Sequence, residues 1–307
     1  MIDRRTLLAA GSAAALAPTL PALAQGAAVT PPFHHVMVGG LRATVVNDGA
    51  ATRPDATQGF VVNAQPAQVA AALQAGGTPG PALVNPYNVT VVRTPRGLVL
   101  LDAGTGATPA MQVNMRNAGL DPAEVVLVAH THFHGDHIGG LLAADGSPAF
   151  PNAQIAVPEV EWTFWMDPAE EARASEMRRP GFANARRRFA PYAGRITRFA
   201  PGAQVAPGIT AVATSGHSPG HVSYLVADGD RQLMVIGDAI TTPALFMANP
   251  EWYPVFDMDP TQAVATRKRL LDQLATDRIA VVGYHFPMPA TGMVERAGSG
   301  YRLVPLA

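Results

Sequence analysis

The sequence predicts an α/β fold built in layers, and three observations carry the prediction. Apolar runs of strand length recur, among them 98–101, 125–129, 209–213, 232–236 and 279–283. Helical patterns with recognisable starts and stops lie between them. Most of these runs end in an acid or a histidine: Asp102, the cluster beginning at His132, His217, Asp238 and His285. Polar side chains gathered at strand ends are where layered proteins build their sites.

The chain has 307 residues, 48% hydrophobic and 15% charged, so it is globular and can bury a large core. A formal net charge of −1 provides no global field to attract nucleic acid or a membrane surface. With no cysteine, disulfides, thiolate ligands and cysteine nucleophiles are excluded.

In chain order, residues 1–24 read as an export signal. Arg4-Arg5 precedes a mildly apolar run, and Ala22-Leu23-Ala24 has the small-x-small pattern of a cleavage site. The paired arginines resemble a twin-arginine signal, with a general secretory signal as the alternative. The mature chain would begin near Gln25 and be periplasmic, with no later run long enough to span a bilayer. Residues 25–35 are expected to be irregular, with His34 and His35 exposed.

Residues 41–46 read as a strand closed by a turn at Asn47-Asp48-Gly49. Pro66–Ala75 reads as a helix ended by Gly76-Gly77. Residues 89–92 and 98–101 bracket Thr94-Pro95-Arg96-Gly97, a hairpin signature. A carboxylate at the end of a buried strand needs a partner. Asp102 is therefore expected to orient a ligand histidine, with a turn cap as the alternative. Residues 109–118 read as a helix.

The run 125–129 leads into His132-Phe133-His134-Gly135-Asp136-His137, and Ile138-Gly139-Gly140 reads as a helix entry. In an extended segment, residues two apart point the same way, so His132 and His134 can chelate one ion. Asp136 and His137 follow the turn at Gly135 and can face a second ion. Imidazole with carboxylate suits zinc, manganese or iron. His130 fits no such register and reads as structural.

Residues 159–190 differ in composition. Trp162, Phe164, Trp165 and Phe182 alternate with acids early and arginines later, in helical pieces broken by Pro168 and Pro180-Gly181. The charges read as a solvated face. The aromatics read either as core or as a cap over the site. Residues 209–213 reach Ser215-Gly216-His217. Residues 222–226 and 232–236 pair across Asp228-Gly229-Asp230 and deliver Asp238. A helix starts with Asp259 as N-cap and Pro260 next, its apolar face being Val264, Leu270, Leu271 and Leu274. Residues 279–283 deliver Tyr284-His285-Phe286. His217, directly after its strand, is favoured as a ligand over His221, which would brace the turn.

His132, His134, Asp136, His137, His217, Asp238 and His285, in this order and spacing, resemble the metallo-β-lactamase superfamily. The resemblance covers most of the mature chain. It implies an αββα sandwich of two mixed sheets flanked by helices, as a single domain over 25–307. It also implies two divalent ions, zinc first, with manganese or iron as alternatives. His132, His134 and His217 would hold one ion, Asp136, His137 and His285 the other, with Asp238 bridging. Asp238 stands where true β-lactamases of this fold carry cysteine or serine, so the name-giving activity is excluded. The set is similar to the dinuclear hydrolase branch. Phe164-Trp165, Gly216-His217-Ser218-Pro219-Gly220-His221 and Gly300-Tyr301-Arg302 look like methyl parathion hydrolases, with exported quorum-quenching lactonases as near neighbours. By that likeness Trp165 and Phe182 would line the substrate pocket.

The implied chemistry is hydrolysis. Two ions lower the pKa of water from about 15.7 toward 7, and a bridging hydroxide attacks a carbonyl carbon or phosphorus. Asp136 or Asp238 would pass the proton on. The expected substrate is a small, apolar, uncharged lactone, aryl ester or phosphotriester, and a homodimer is compatible with the sequence. Nucleic acid is excluded as a partner, because no basic groove is evident. The alternatives are a mononuclear iron oxidoreductase resembling persulfide dioxygenases, and a metal-binding export protein without catalysis.

Overall fold

The strands of the chain form two seven-stranded sheets, each ordered as the strands occur in sequence. These and the following features come from a computed structural model, which describes residues 31–78 and 80–306. The export signal expected at 1–24 lies outside the described residues.

The first sheet comprises β1 (Phe33–Val38), β2 (Leu41–Arg53), β3 (Leu83–Thr94), β4 (Gly97–Leu101), β5 (Val125–Ala129), β6 (Gln154–Pro158) and β7 (Ile196–Phe199). It is antiparallel from β1 to β4 and parallel from β4 to β7. The second comprises β8 (Gln204–Ala206), β9 (Ile209–Ala213), β10 (Val222–Asp228), β11 (Arg231–Val235), β12 (Ala280–Val282), β13 (Thr291–Ala297) and β14 (Gly300–Pro305). Only β11 and β12 pair parallel there.

Helices flank the sheets: α1 (Pro66–Ala75), α2 (Ala110–Asn117), α3 (Gly135–Ile138), α4 (Glu159–Met166), α5 (Pro168–Arg173), α6 (Arg179–Phe189) and α7 (Pro260–Asp277). The alternation of β4 shows why both sheet faces are covered. Val99 and Leu101 join one cluster with Tyr224, Val226 and Val235 of the second sheet. Leu98 and Leu100 join another with Met111 and Met115 of α2 and with Phe182 and Phe189 of α6. The fold is thus the mixed α/β sandwich expected. No helix among the described residues is long and apolar enough to cross a membrane.

This topology also gathers the strand ends. Parallel β4 and β5 finish at the same edge, at Asp102 and the histidine cluster. Strands β9 and β11 both run against β10, so they share a direction, and β12 is parallel to β11. Their C-terminal ends deliver His217, Asp238 and His285.

Several local expectations need correction. Phe33 to Val38 is an edge strand rather than an irregular lead-in, because its backbone pairs with β2 from Val46 to Leu41. Asn47-Asp48-Gly49 is a bulge within β2 and not its end, with Gly49 at φ +101°. The helix expected to enter at Ile138 is a single turn that already begins at Gly135 and includes Asp136 and His137, followed by a 3₁₀ turn over Gly139–Leu141. A Cβ on Gly139 would lie 1.9 Å from the Thr105 carbonyl oxygen, so this crossing admits only glycine. Pro168 and Pro180 sit in the first turns of α5 and α6, where no N–H is needed, and so begin helices rather than break them. In α7 Asp259 caps the Gln262 amide as expected. Val264 is only half-buried, however, while Arg267 is buried, because Arg267 pairs with a buried acid.

Candidate metal centre

Four histidines are each held at one ring nitrogen so that the other faces a common space. Thr131 Oγ1 donates to Asp102 Oδ2 at 2.8 Å and so accepts from His132 Nδ1 at 3.0 Å. His137 Nδ1 donates to Asp102 Oδ2 at 2.8 Å. His217 Nδ1 donates to Asp257 Oδ1 at 2.9 Å, and His285 Nδ1 to the Pro86 carbonyl at 2.8 Å. These partners assign the tautomers and leave Nε2 of each ring free to ligate.

The free nitrogens converge. His134 Nδ1 lies 3.0 Å from His132 Nε2 and 2.9 Å from His217 Nε2. Ligands about 2.0–2.1 Å from a tetrahedral zinc stand about 3.3 Å apart, so this trio has the spacing of one ion's ligands. Asp136, His137 and His285 form another group able to hold a metal, with Asp136 Oδ2 3.4 Å from His285 Nε2 and 3.8 Å from His137 Nε2. Asp238 reaches both groups. Its Oδ2 lies 3.4 Å from His217 Nε2 and 3.2 Å from His285 Nε2, and its Oδ1 lies 3.3 Å from His137 Nε2.

The charges fit a cation. Burial pushes His132 and His134 well below the ordinary imidazole pKa, and neighbouring imidazoles add to this. Burial also opposes a charge on His137, but Asp238, Asp102 and Asp136 together hold its pKa well above normal. Asp238 is buried, which alone would raise its pKa, yet His285 and His137 keep it well below the carboxylate range. Asp238 likewise raises the pKa of His285 against the effect of burial, so the acids around His137 and His285 favour a positive charge at the place where a metal would supply one. His137 Nε2 and Asp238 Oδ1 are buried without a hydrogen-bond partner among the described residues. Orphaned buried groups of this kind, aimed into the gap between both trios, are what a metal pair would satisfy. The residues present fit two divalent ions.

A cavity of about 430 Å³ opens onto the cluster. His134, Asp136, His217, Asp238 and His285 form its floor, while Phe60, Trp165 and Phe256 stand among its walls. Trp165 lies with its ring 6.0 Å from that of His134. Phe182, expected beside it in the pocket, is not in the lining. It is fully buried instead, its ring tilted by 52° against that of Trp165 at 4.8 Å, and Trp165 takes the place at the cavity. Arg178 departs from the solvated face expected of the arginines and lines the cavity.

Asp102 serves both readings weighed for it. It caps Thr131 N at 2.7 Å from a left-handed turn (φ +69°), and it holds His137. His221 Nε2 accepts from the Asp238 backbone N–H at 3.0 Å, so that nitrogen cannot ligate. Rather than bracing its own turn alone, His221 fixes the backbone of Asp238. His130 is buried edge-on to Phe189, with no hydrogen bond to its ring nitrogens.

Sequence reasoning missed four contributors. Asp257 and Arg267 support His217 from outside, with Arg267 Nη2 donating to Asp257 Oδ2 at 2.9 Å. Tyr284 stacks on His137 at 3.9 Å and donates to the Asp136 carbonyl at 2.6 Å. Glu161 touches the motif from the cap. Only Tyr284 had a local signal, its place beside His285.

A family model described as Metallo-beta-lactamase superfamily matches residues 82–284, ending one residue short of His285. The chain belongs to the metallo-β-lactamase superfamily. Among solved structures it is similar to AidC, described as a dizinc quorum-quenching lactonase in complex with a product. That match has a TM-score of 0.83 and 22% identity, over 90% of this chain and 97% of the other. It is also similar to the hydrolase AbOPH, with a TM-score of 0.84 and 25% identity over 91% and 99% of the two chains. A quorum-quenching N-acyl homoserine lactone lactonase aligns with a TM-score of 0.56 and 21% identity over 82% and 94%. At these identities the lactonases share the fold with this chain. Metallo-beta-lactamase domain-containing protein 1 of Xenopus laevis is 26% identical over 187 residues, 60% of this chain and 65% of that relative's length.

Proposed function

We propose that the protein is a dinuclear metal hydrolase that opens a lactone or aryl ester, with phosphotriesters as a second substrate class. The observation that carries this is the reach of Asp238 to both ligand groups, at 3.4 Å from His217 and 3.2 Å from His285. One acid between two trios suits two ions, and a mononuclear iron site would leave the second trio without a purpose. The lactonase and hydrolase neighbours support the reading by likeness of fold.

A pair of divalent ions bound there, zinc first, supplies a hydroxide near neutral pH and polarises the substrate's oxygen. The chain does the rest. Histidines pinned at their outer nitrogens hold the geometry without reorganising. Trp165, Phe60 and Phe256 exclude water and receive an apolar group. Asp136 and Asp238 face the cavity and are placed to take the proton and return it to the leaving group.

Metal quantification with a panel of homoserine lactones, p-nitrophenyl esters and a phosphotriester tests the proposal. Two ions per chain with lactone or ester turnover are expected. One iron per chain with persulfide oxidation would replace the reading by the oxidoreductase. Two ions without turnover of any of these would leave a binding protein. Export to the periplasm is part of the proposal, resting on Arg4-Arg5 and the Ala22-Leu23-Ala24 site. Fractionation of cells carrying Arg4→Lys/Arg5→Lys tests the twin-arginine route, and unchanged export would assign the general pathway.

A further inference from the structure

Helix α4 carries an acid that the chemistry above does not use. Glu161 is fully buried, and all four groups it binds are neutral donors. Its Oε2 accepts from Phe133 N at 3.2 Å and from Trp165 Nε1 at 2.7 Å. Its Oε1 accepts from Ser218 Oγ at 2.6 Å and from Gly220 N at 2.7 Å. A buried carboxylate without a cationic partner is costly, and only a full set of donors offsets that cost. Leucine would fill the same space without the penalty, so packing alone does not account for an acid here.

The four donors share a location. Phe133 sits between His132 and His134. Ser218 follows His217 directly, and Gly220 continues the same loop. Trp165 is the cavity wall beside His134. The loop also touches the helix itself, since a Cβ on Gly220 would lie 2.5 Å from Glu161 N. The donors come from three chain segments that meet at this one side chain.

We propose that Glu161 is the positioning residue that sets His134, His217 and the Trp165 wall relative to one another. The cap and the three-histidine group are then a single unit, tied by one carboxylate. The assignment rests on reading the site as a metal centre with its substrate cavity under the cap. Glutamine replaces the acid poorly, because in one orientation its NH₂ would face the Gly220 N–H and in the other the N–H groups of Phe133 and Trp165, none of which can accept.

Full-length chains carrying Glu161→Gln, Ser218→Ala and Trp165→Phe provide the test. Three quantities are read: zinc affinity by chelator competition, melting of the metal-free protein, and kcat against KM. Glu161→Gln is expected to weaken one zinc site about tenfold or more, the loss typical when a ligand's support is removed. Ser218→Ala removes one donor of the four and is expected to weaken it two- to threefold while lowering the melting temperature by only a few degrees. Trp165→Phe is expected to leave zinc affinity within twofold while raising KM. A folded Glu161→Gln protein with unchanged zinc affinity overturns the proposal. Should that variant not fold, unchanged zinc affinity in Ser218→Ala overturns it instead, and a selective loss there upholds it. Absence of turnover on every substrate would refute the hydrolase reading alone, since the zinc affinities remain measurable.

Discussion

Replacing Asp257 by leucine removes the acid that holds His217 from outside the cluster. Asp257 and Arg267 are both buried, at 3% and 1% exposure, and their contact is 2.9 Å. Truncating one partner of a buried pair strands the other charge, at about 3–5 kcal/mol. Near 2 °C per kcal/mol for a domain of this size, the metal-free protein should melt about 6–10 °C lower. The same change frees His217 Nδ1, so zinc affinity should fall about 10- to 100-fold. A second variant, Asp257→Leu with Arg267→Met, separates these effects. It removes the stranded charge but also the donor to the Ala239 and Trp252 carbonyls, at about 1 kcal/mol each. The double variant should therefore recover about 1–3 kcal/mol of stability over the single one and none of the zinc affinity. Denaturation of the metal-free proteins gives the first quantity, and chelator competition gives the second. A double variant less stable than the single one, or wild-type zinc affinity in either, would refute the reasoning.

Three further outcomes are expected. Burial, with His217 adding to it, lowers the pKa of His221 to about 3, and its Nε2 accepts a hydrogen bond that a proton would block. The unfolded chain therefore binds one more proton than the folded one between pH 6.5 and 3. Stability of the metal-free protein should fall through that window as pH drops, by about 1.4 kcal/mol per pH unit from this group. His221→Gln should flatten the slope of a pH-dependent denaturation series, and an unchanged slope would assign it elsewhere. Trp165→Leu should change kcat/KM about tenfold, while Phe182→Leu should cost about 1 kcal/mol of stability and leave kcat/KM within twofold. Equal kinetic effects would place both rings at the substrate. Zinc at about 100 times its dissociation constant should stabilise the protein by about 2.7 kcal/mol per site. Thermal scans with and without zinc measure this, and no shift would mean that the cluster binds no zinc.

The sequence by itself determined the parts of this protein governed by short-range order. Two-residue alternation marks strands, and a strand's end is visible where the apolar run stops. That sufficed to single out Asp102, the cluster from His132 to His137, His217, Asp238 and His285, and to favour His217 over His221 as a candidate ligand. The family likeness followed from their order along the chain. What surrounds the ligands was decided only by the tertiary structure. Asp257 and Glu161 sit in ordinary surroundings in the sequence, and each gains its partners through chain reversals that bring distant segments together. The cap aromatics show the same limit. Trp162, Trp165 and Phe182 are chemically alike, and which of them meets the cavity depends on how α4 and α6 are rotated. That rotation is fixed by the packing of Trp162 against Phe189 and by the bonds that Ser218 and Gly220 donate to Glu161, contacts that local sequence does not encode.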